Sequence, residues 1–316
     1  MDKKLFVLSL PTGIGAQCGG YAGDMGYIAR EFANHFDLVV NPNVVNGGIL
    51  SAITPNMHYT EGWAMDRYLS GEIFLTPTTK NKIGVVFDSE IPQEILNIHI
   101  NTINAMKMVM GLDIIGYEIT KNPVGVELNI TDKVSAGSLK NPKELLEASK
   151  KLLQKGADAI AIICLFPDAE DELYMQGVGI DPIGGLEGVI SHFISSELMI
   201  PTAHAPAFNS LDISFKIENP KLASETISST YLPCVLIGLN QAPGISHNKT
   251  KNSLKKPDGL IVPSSALGSY GVLGAIKNNI PIYAIKNKCS LEVSKEKLGI
   301  EVFEFESYKE CLNYLL

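Results

Sequence analysis

The sequence predicts an α/β protein of mostly parallel sheets with flanking helices, drawn as two Rossmann-like lobes around a cleft. Three observations lead there. Short apolar runs bounded by Gly, Pro or Asp recur along the chain, and segments of helical periodicity lie between them. The first apolar run also stops in a loop containing Gly13, Gly15, Gly19, Gly20 and Gly23 before a helix-like segment begins at Asp24.

Taken in order, Leu5–Leu10 is a mostly apolar stretch closed by Pro11, and it reads as a buried first strand feeding the glycine loop and a helix over Asp24–Ala33. Strands follow at Leu38–Asn41 and Ile83–Asp88. The span Glu94–Met110 has helical periodicity, and Asp113–Thr120 resumes the sheet. Pro142–Lys155 is a helix with Asn141 placed as its N-cap. Ala159–Leu165 (AIAIICL) has the continuous apolar character of a parallel strand buried on both faces, Gly185–Glu197 is a helix, and Thr202–Ala205 is again a strand. Cys234–Leu239, Gly259–Pro263, Pro281–Ile285 and Glu301–Phe305 read as strands, and Ser307–Leu315 closes the chain as a helix. Ten strands exceed a comfortable single sheet. The polar, turn-rich stretch between Asn122 and Asn141 therefore becomes the expected boundary between an N-terminal lobe (1–130) and a C-terminal lobe (131–316).

With 316 residues, 45% of them hydrophobic, the chain can bury a large core. A net charge of −8 argues against nucleic acid as a partner, because neutralising phosphates needs a clustered basic surface. No segment approaches the roughly 18–20 apolar residues that cross a bilayer, so no membrane partner is expected. The five cysteines are scattered and never form a C-x-x-C pair. That excludes a disulfide framework and a zinc knuckle, and the cytoplasm is the expected compartment.

The glycine loop carries the clearest functional signal. Its spacing fits neither a dinucleotide fingerprint nor a P-loop, so no NAD or ATP is implied and no cofactor is expected. Glycines with Thr12 and Asp24 at a strand-to-helix turn suit a small anion, held on backbone N–H groups and the helix start. A second cradle is expected at Ser264, Ser265, Gly268, Ser269 and Gly271, and Asn43 and Asn46 could aim amides into the same mouth. An ordinary turn with serine N-caps is the plainer reading of the second loop. The partner is thus a small anionic metabolite, and a homo-oligomer is left open.

The ionisable candidates fall in two segments. In NMHYTEGWAMDRY, Thr60 is placed as a helix cap, Glu61 beside Trp63 could have the raised pKa of a general acid, and Asp66 and Arg67 lie close by, with a surface pair as the plainer alternative. In DPIGGLEGVISHFISSELMIPTAHAP, Asp181, Glu187, His192 and His204 crowd together. His204, at a strand end, is expected to exchange protons near neutral pH. These four residues lack the i, i+4 pairing of a zinc helix, so no metal is predicted, and a metal-dependent hydrolase using His192 and His204 is kept as an alternative. Cys164 and Cys234 raise a further idea, the paired strand-end thiols of a cofactor-independent racemase, against the plainer role of small core residues.

The motifs PTGIGAQCGGYAGD, NPNVVNGG, EGWAMDRY, GADAIAIICLFPD, GVGIDPIGGLEGVISHFISSELMIPTAHAPA, YLPCVLIGL and VPSSALGSYGVL together resemble an uncharacterised bacterial and plastid family, domain-of-unknown-function family 3326. The resemblance spans nearly the whole chain and implies an enzyme-like protein, with no reaction attached. It favours the glycine loops, Glu61, Asp66, Arg67, Asp181, Glu187, His192 and His204 as site residues. The family pattern keeps Cys234 but not Cys18 or Cys164, which weakens the racemase idea. The expectation from sequence is an acid–base enzyme of isomerase, epimerase or lyase type, with the hydrolase or a non-catalytic metabolite-binding protein as alternatives.

Overall fold

The computed structural model describes residues 3–12, 25–45, 53–131, 134–168, 174, 180–211, 217, 228–287, 289 and 291–316. The chain opens with β1 (Leu5–Leu8), α1 (Gly26–Ala33), β2 (Asp37–Val40), the short α2 (Pro42–Val45) and β3 (Met57–Tyr59). It then passes through α3 (Gly62–Leu69) and β4 (Phe74–Thr76) into a second region. That region holds β5 (Ile83–Phe87), α4 (Gln93–Met110), β6 (Ile114–Ile119), β7 (Val126–Ile130), β8 (Ser135–Leu139), α5 (Pro142–Gln154), β9 (Ala159–Leu165), α6 (Gly184–Leu198) and β10 (Thr202–Ala207). After α7 (Leu232–Asn240) and β11 (Gly244–Ser246) come β12 (Gly259–Pro263), α8 (Tyr270–Lys277), β13 (Ile282–Ile285), α9 (Lys295–Leu298), β14 (Phe303–Phe305) and α10 (Tyr308–Leu315).

These strands form two wholly parallel sheets, one ordered β14-β13-β12-β1-β2-β3 and the other β10-β9-β5-β6. The predicted architecture of parallel sheets with flanking helices is what is observed. Strand order reverses between β1 and β12 in the first sheet and between β5 and β9 in the second, and in open α/β sheets such reversals open the crevices where ligands sit. Two antiparallel pairs, β4 with β11 and β7 with β8, complete the pairing.

Strands buried on both faces explain the apolar runs. Val7, Val39, Leu260 and Val262 pack under α3 and α8, whereas Phe6, Leu8, Leu38 and Val40 join a cluster that also takes in Ile83, Val85 and Phe87 of the second sheet and much of α4 and α7. The two sheets therefore share one core. On the other face of the second sheet, Val86, Ile160, Ile162 and Cys164 pack against α5 and α6.

Several expectations are corrected. Cys234–Leu239 lies within helix α7, not a strand: residues Leu232 to Leu239 are all buried, so the helix shows no polar face that would mark its period. The polar stretch 122–141 contains the β7–β8 pair. A cut at residue 130 would part those two strands, and the first sheet draws its strands from both ends of the chain. Asn141 is the N-cap residue of α5, as expected, but its side chain makes no capping bond, and its amide donates instead to the Pro123 carbonyl at 2.8 Å. At α3 the cap is Glu61, not Thr60.

Candidate functional site

The exit of β1, at the reversal point of the larger sheet, is held by asparagines. The Asn41 side chain accepts from Leu10 N–H at 2.9 Å and donates to the Leu10 carbonyl at 2.7 Å. Asn43 Nδ2 donates to the Pro11 carbonyl at 2.9 Å and to Thr12 Oγ1 at 3.2 Å, so this amide positions the loop entrance. Thr12 lies against α6: a Cβ added to Gly188 would come within 3.3 Å of its methyl group, a tight contact that glycine avoids. Gly13, Gly15, Gly19, Gly20, Asp24 and Asn46 lie outside the described residues.

Helix α6 brings the second set of groups. Asp181 anchors its start, with Oδ1 accepting from Ile183 N–H at 3.1 Å and Gly184 N–H at 3.0 Å. Burial pushes the Asp181 pKa up and these two N–H groups pull it down, the behaviour of a carboxylate engaged in a helix start. Asp181 therefore supports the site and does not stand free for chemistry.

Glu187 and Ser191, one turn apart on α6, both face His204 of β10. His204 Nδ1 lies 2.9 Å from Ser191 Oγ, and its Nε2 lies 3.9 Å from Glu187 Oε1. Ser191 Oγ is 3.5 Å from Oε1 of Glu61, and that same oxygen is 2.9 Å from Nε2 of His192. The other Glu61 oxygen caps α3 by accepting from Ala64 N–H at 3.2 Å. The Glu61 side chain is only 2% exposed, whereas His192 is 44% exposed. A connected polar track thus runs Glu187–His204–Ser191–Glu61–His192 and ends at one accessible ring.

The environments separate the two histidines. Burial, helped by the nearby His192, lowers the His204 pKa to about 3, so its ring is neutral. This corrects the expectation that His204 titrates near neutral pH. Burial opposes charge on His192 too, but the hydrogen bond and charge of Glu61, with Asp66 adding to them, more than offset it and the pKa is raised. Asp66 is pushed up to about 6, chiefly by burial, although Gly271 N–H donates to its Oδ1 at 3.0 Å.

Other predicted residues are committed elsewhere. Arg67 pairs with Glu72 at 2.7 Å and lies over the Tyr270 ring at 4.3 Å from its centroid. The second cradle is largely satisfied from within. Ser264 N–H donates to the Ile285 carbonyl at 2.8 Å, Ser265 Oγ donates to Asn287 Oδ1 at 3.1 Å, and Ser269 Oγ accepts from Val272 N–H at 3.1 Å as the cap of α8. Gly268 packs against Val293, and Gly271 sits on Asp66. The plainer reading of this loop, a strand-to-helix turn with serine caps, fits these bonds. Cys164 packs toward α5 and α6, whereas Cys234 lies in the cluster on the opposite face of the sheet, and burial pushes the Cys164 thiol far up. Two thiols so placed cannot flank one substrate. Among the described residues, no group of three or more His, Cys, Asp or Glu side chains is placed to hold a metal ion.

Two residues were not picked out from the sequence. Ser191 joins His204 to Glu61, and its spacing of four from Glu187, one helical turn, was the available signal. Asp88 ends the buried strand β5 at the reversal point of the smaller sheet. Its Oδ1 accepts from Val124 N–H at 3.1 Å and Glu90 N–H at 3.2 Å, and burial raises its pKa against the pull of these backbone donors.

A family described as "Protein of unknown function (DUF3326)" matches residues 5–316. The chain belongs to this family. A relative from Synechococcus sp. (strain ATCC 27144 / PCC 6301 / SAUG 1402/1), named an uncharacterized lipoprotein, is 38% identical over 322 residues, which span 98% of this chain and 89% of the relative. That name overturns the cytoplasmic expectation, since a lipoprotein is held at a membrane by attached lipid. Scattered cysteines speak to disulfides and metals, not to such an anchor. Among solved structures, a periplasmic ribose ABC transporter from Conexibacter woesei DSM 14684 aligns with 74% of this chain and 98% of its own at 12% identity, with a TM-score of 0.21, too low to describe a shared fold.

Proposed function

We propose that this protein is an acid–base enzyme of the isomerase, epimerase or lyase class, acting on a small carboxylated or phosphorylated metabolite between the exit of β1 and helix α6. One observation carries the reading: a buried carboxylate, Glu61, just past the carboxyl end of the edge strand β3, holds the accessible ring of His192 at 2.9 Å, on the helix whose Gly188 lies against Thr12 at the exit of β1. A carboxylate on one ring nitrogen orients the imidazole and stabilises its protonated form, as a general acid requires. In this reading, His192 donates a proton to the substrate and its positive charge attracts the anionic group. Asp66, with a pKa of about 6, is suited to take up a proton near neutral pH. Neutral His204, through Ser191, keeps Glu61 oriented.

Proton exchange is the direct test. Phosphorylated sugars and hydroxy acids are incubated with the protein in D2O, and loss of substrate C–H signals is followed by NMR. The wild type exchanges one class of substrate, and His192→Gln slows that exchange by about 10²-fold or more, as expected for loss of a general acid. Unchanged exchange in His192→Gln would overturn the reading. Tight binding of a metabolite without any exchange would replace it with a carrier.

A further inference from the structure

On the face of the smaller sheet away from Glu61 and His192, a small open cleft lies between the first turns of α4, the carboxyl end of β10 and the segment 228–231. Two of its lining groups lack partners: His99, 2% exposed, has no hydrogen bond to Nδ1, and Thr230, 5% exposed, has none to Oγ1. A buried polar atom left unpaired in a folded protein costs stability, so such atoms mark sites completed by something else. Here two of them line one cleft at strand ends, where open α/β sheets take ligands. The rest of the lining is apolar or uncharged: Ile95, Ala207 and Leu211 supply hydrocarbon, Ser229 a hydroxyl, and no Asp, Glu, Lys or Arg is among the described lining residues.

We infer that this cleft is a second binding site, for an uncharged small molecule that presents an amide or hydroxyl to His99 and Thr230 and a short hydrocarbon end to Ile95 and Leu211. An amide supplies both a donor and an acceptor, which matches a ring nitrogen and a hydroxyl. Burial lowers the His99 pKa to about 4, so the ring is neutral and offers no charge to an ion. The ring is fixed against Phe87, with centroids 5.8 Å apart. The inference stands apart from the acid–base reading, because none of its residues belongs to the Glu61–His192 track.

The test uses isobutyramide as the probe, with its anionic isostere isobutyrate and the cation isobutylamine, which has the same hydrocarbon end, as charged controls, followed by saturation-transfer NMR and titration on the full chain. Isobutyramide is expected to bind saturably and both ions at least about tenfold more weakly. Thr230→Val and His99→Phe each weaken isobutyramide by about tenfold, the loss of one hydrogen bond. Both variants keep or raise the melting temperature, because each removes an unpaired buried polar atom. Thr230→Val carries the test alone should His99→Phe fail to fold. Equal binding of all three probes, unchanged affinity in Thr230→Val, or no saturable isobutyramide binding up to its solubility would each overturn the site.

Discussion

His192 and His204 sit on one polar track, separated by Ser191 and Glu61, and their surroundings move their proton affinities apart. The direction is set by contact with Glu61: His192 has that carboxylate on its ring, whereas His204 meets a serine hydroxyl within an apolar sheet. Ring titration followed by NMR should therefore show His192 changing charge above pH 6.5 and His204 remaining neutral across pH 5 to 8. A His204 midpoint between those limits would mean that water or charge reaches it. The stability consequence has a definite sign. In the unfolded chain His99 binds a proton near pH 6.5, and in the folded protein only near 4, so between these values the unfolded state holds more protons and stability falls as pH drops. His99→Phe should flatten that acid limb, removing about 2 kcal/mol of the difference between pH 7 and pH 5 in urea denaturation. Asp66 works the other way: its raised pKa favours the protonated form in the fold, and stability is lost as pH rises from 3.8 through about 6. Asp66→Asn should therefore gain stability at pH 7 relative to pH 4.

At the scale of elements, α3 and α8 meet through glycines. A Cβ on Gly271 would lie 2.4 Å from Asp66 Oδ1, and one on Gly274 would lie 2.8 Å from the backbone of Ser70. Gly271 thus serves close helix packing, a role that its place after two serines did not suggest. Gly274→Ala should destabilise by about 1–3 kcal/mol through overpacking, read by thermal denaturation, and an unchanged melting temperature would mean the helices can separate without loss. Elements with a regular signal were legible: Ala159–Leu165 matches its predicted span residue for residue, because a parallel strand buried on both faces is a continuous apolar run. Helix α7 was not legible for the mirror reason, being a buried helix whose apolar run looks like such a strand. Short strands such as Phe74–Thr76 and Gly244–Ser246 exist only because each pairs with the other, and no local pattern announces them.

For the whole molecule, the two sheets share one core, from which a single cooperative unfolding unit is expected. Phe6 and Leu38 of the first sheet and Val85 and Phe87 of the second belong to one cluster, with α7 packed into it. The two connections between the sheets also pair side by side as β4 and β11. The single tryptophan, Trp63, lies on α3, which contacts α6 from the second sheet and α8 from the first. Its fluorescence and the far-UV ellipticity should then report one coincident unfolding transition, and two separated midpoints would show that the sheets unfold independently.

Composition and local periodicity determined the α/β class, most parallel strands and the candidate segments around Glu61, Asp181, Glu187, His192 and His204, because burial on both faces and helical amphipathicity are written in neighbouring residues. Only the tertiary structure decided which of those candidates meet. Asp181 and Ser269 look from sequence like site residues, but backbone donors at helix starts claim them. Glu61 and Ser191, 130 positions apart, meet because the chain leaves the first sheet and lays α6 of the second against α3, and it returns to complete the first sheet with β12 to β14. The charge states of His192 and His204 follow from that same packing, since proton affinity depends on burial and on nearby charge, and both are properties of the assembled fold.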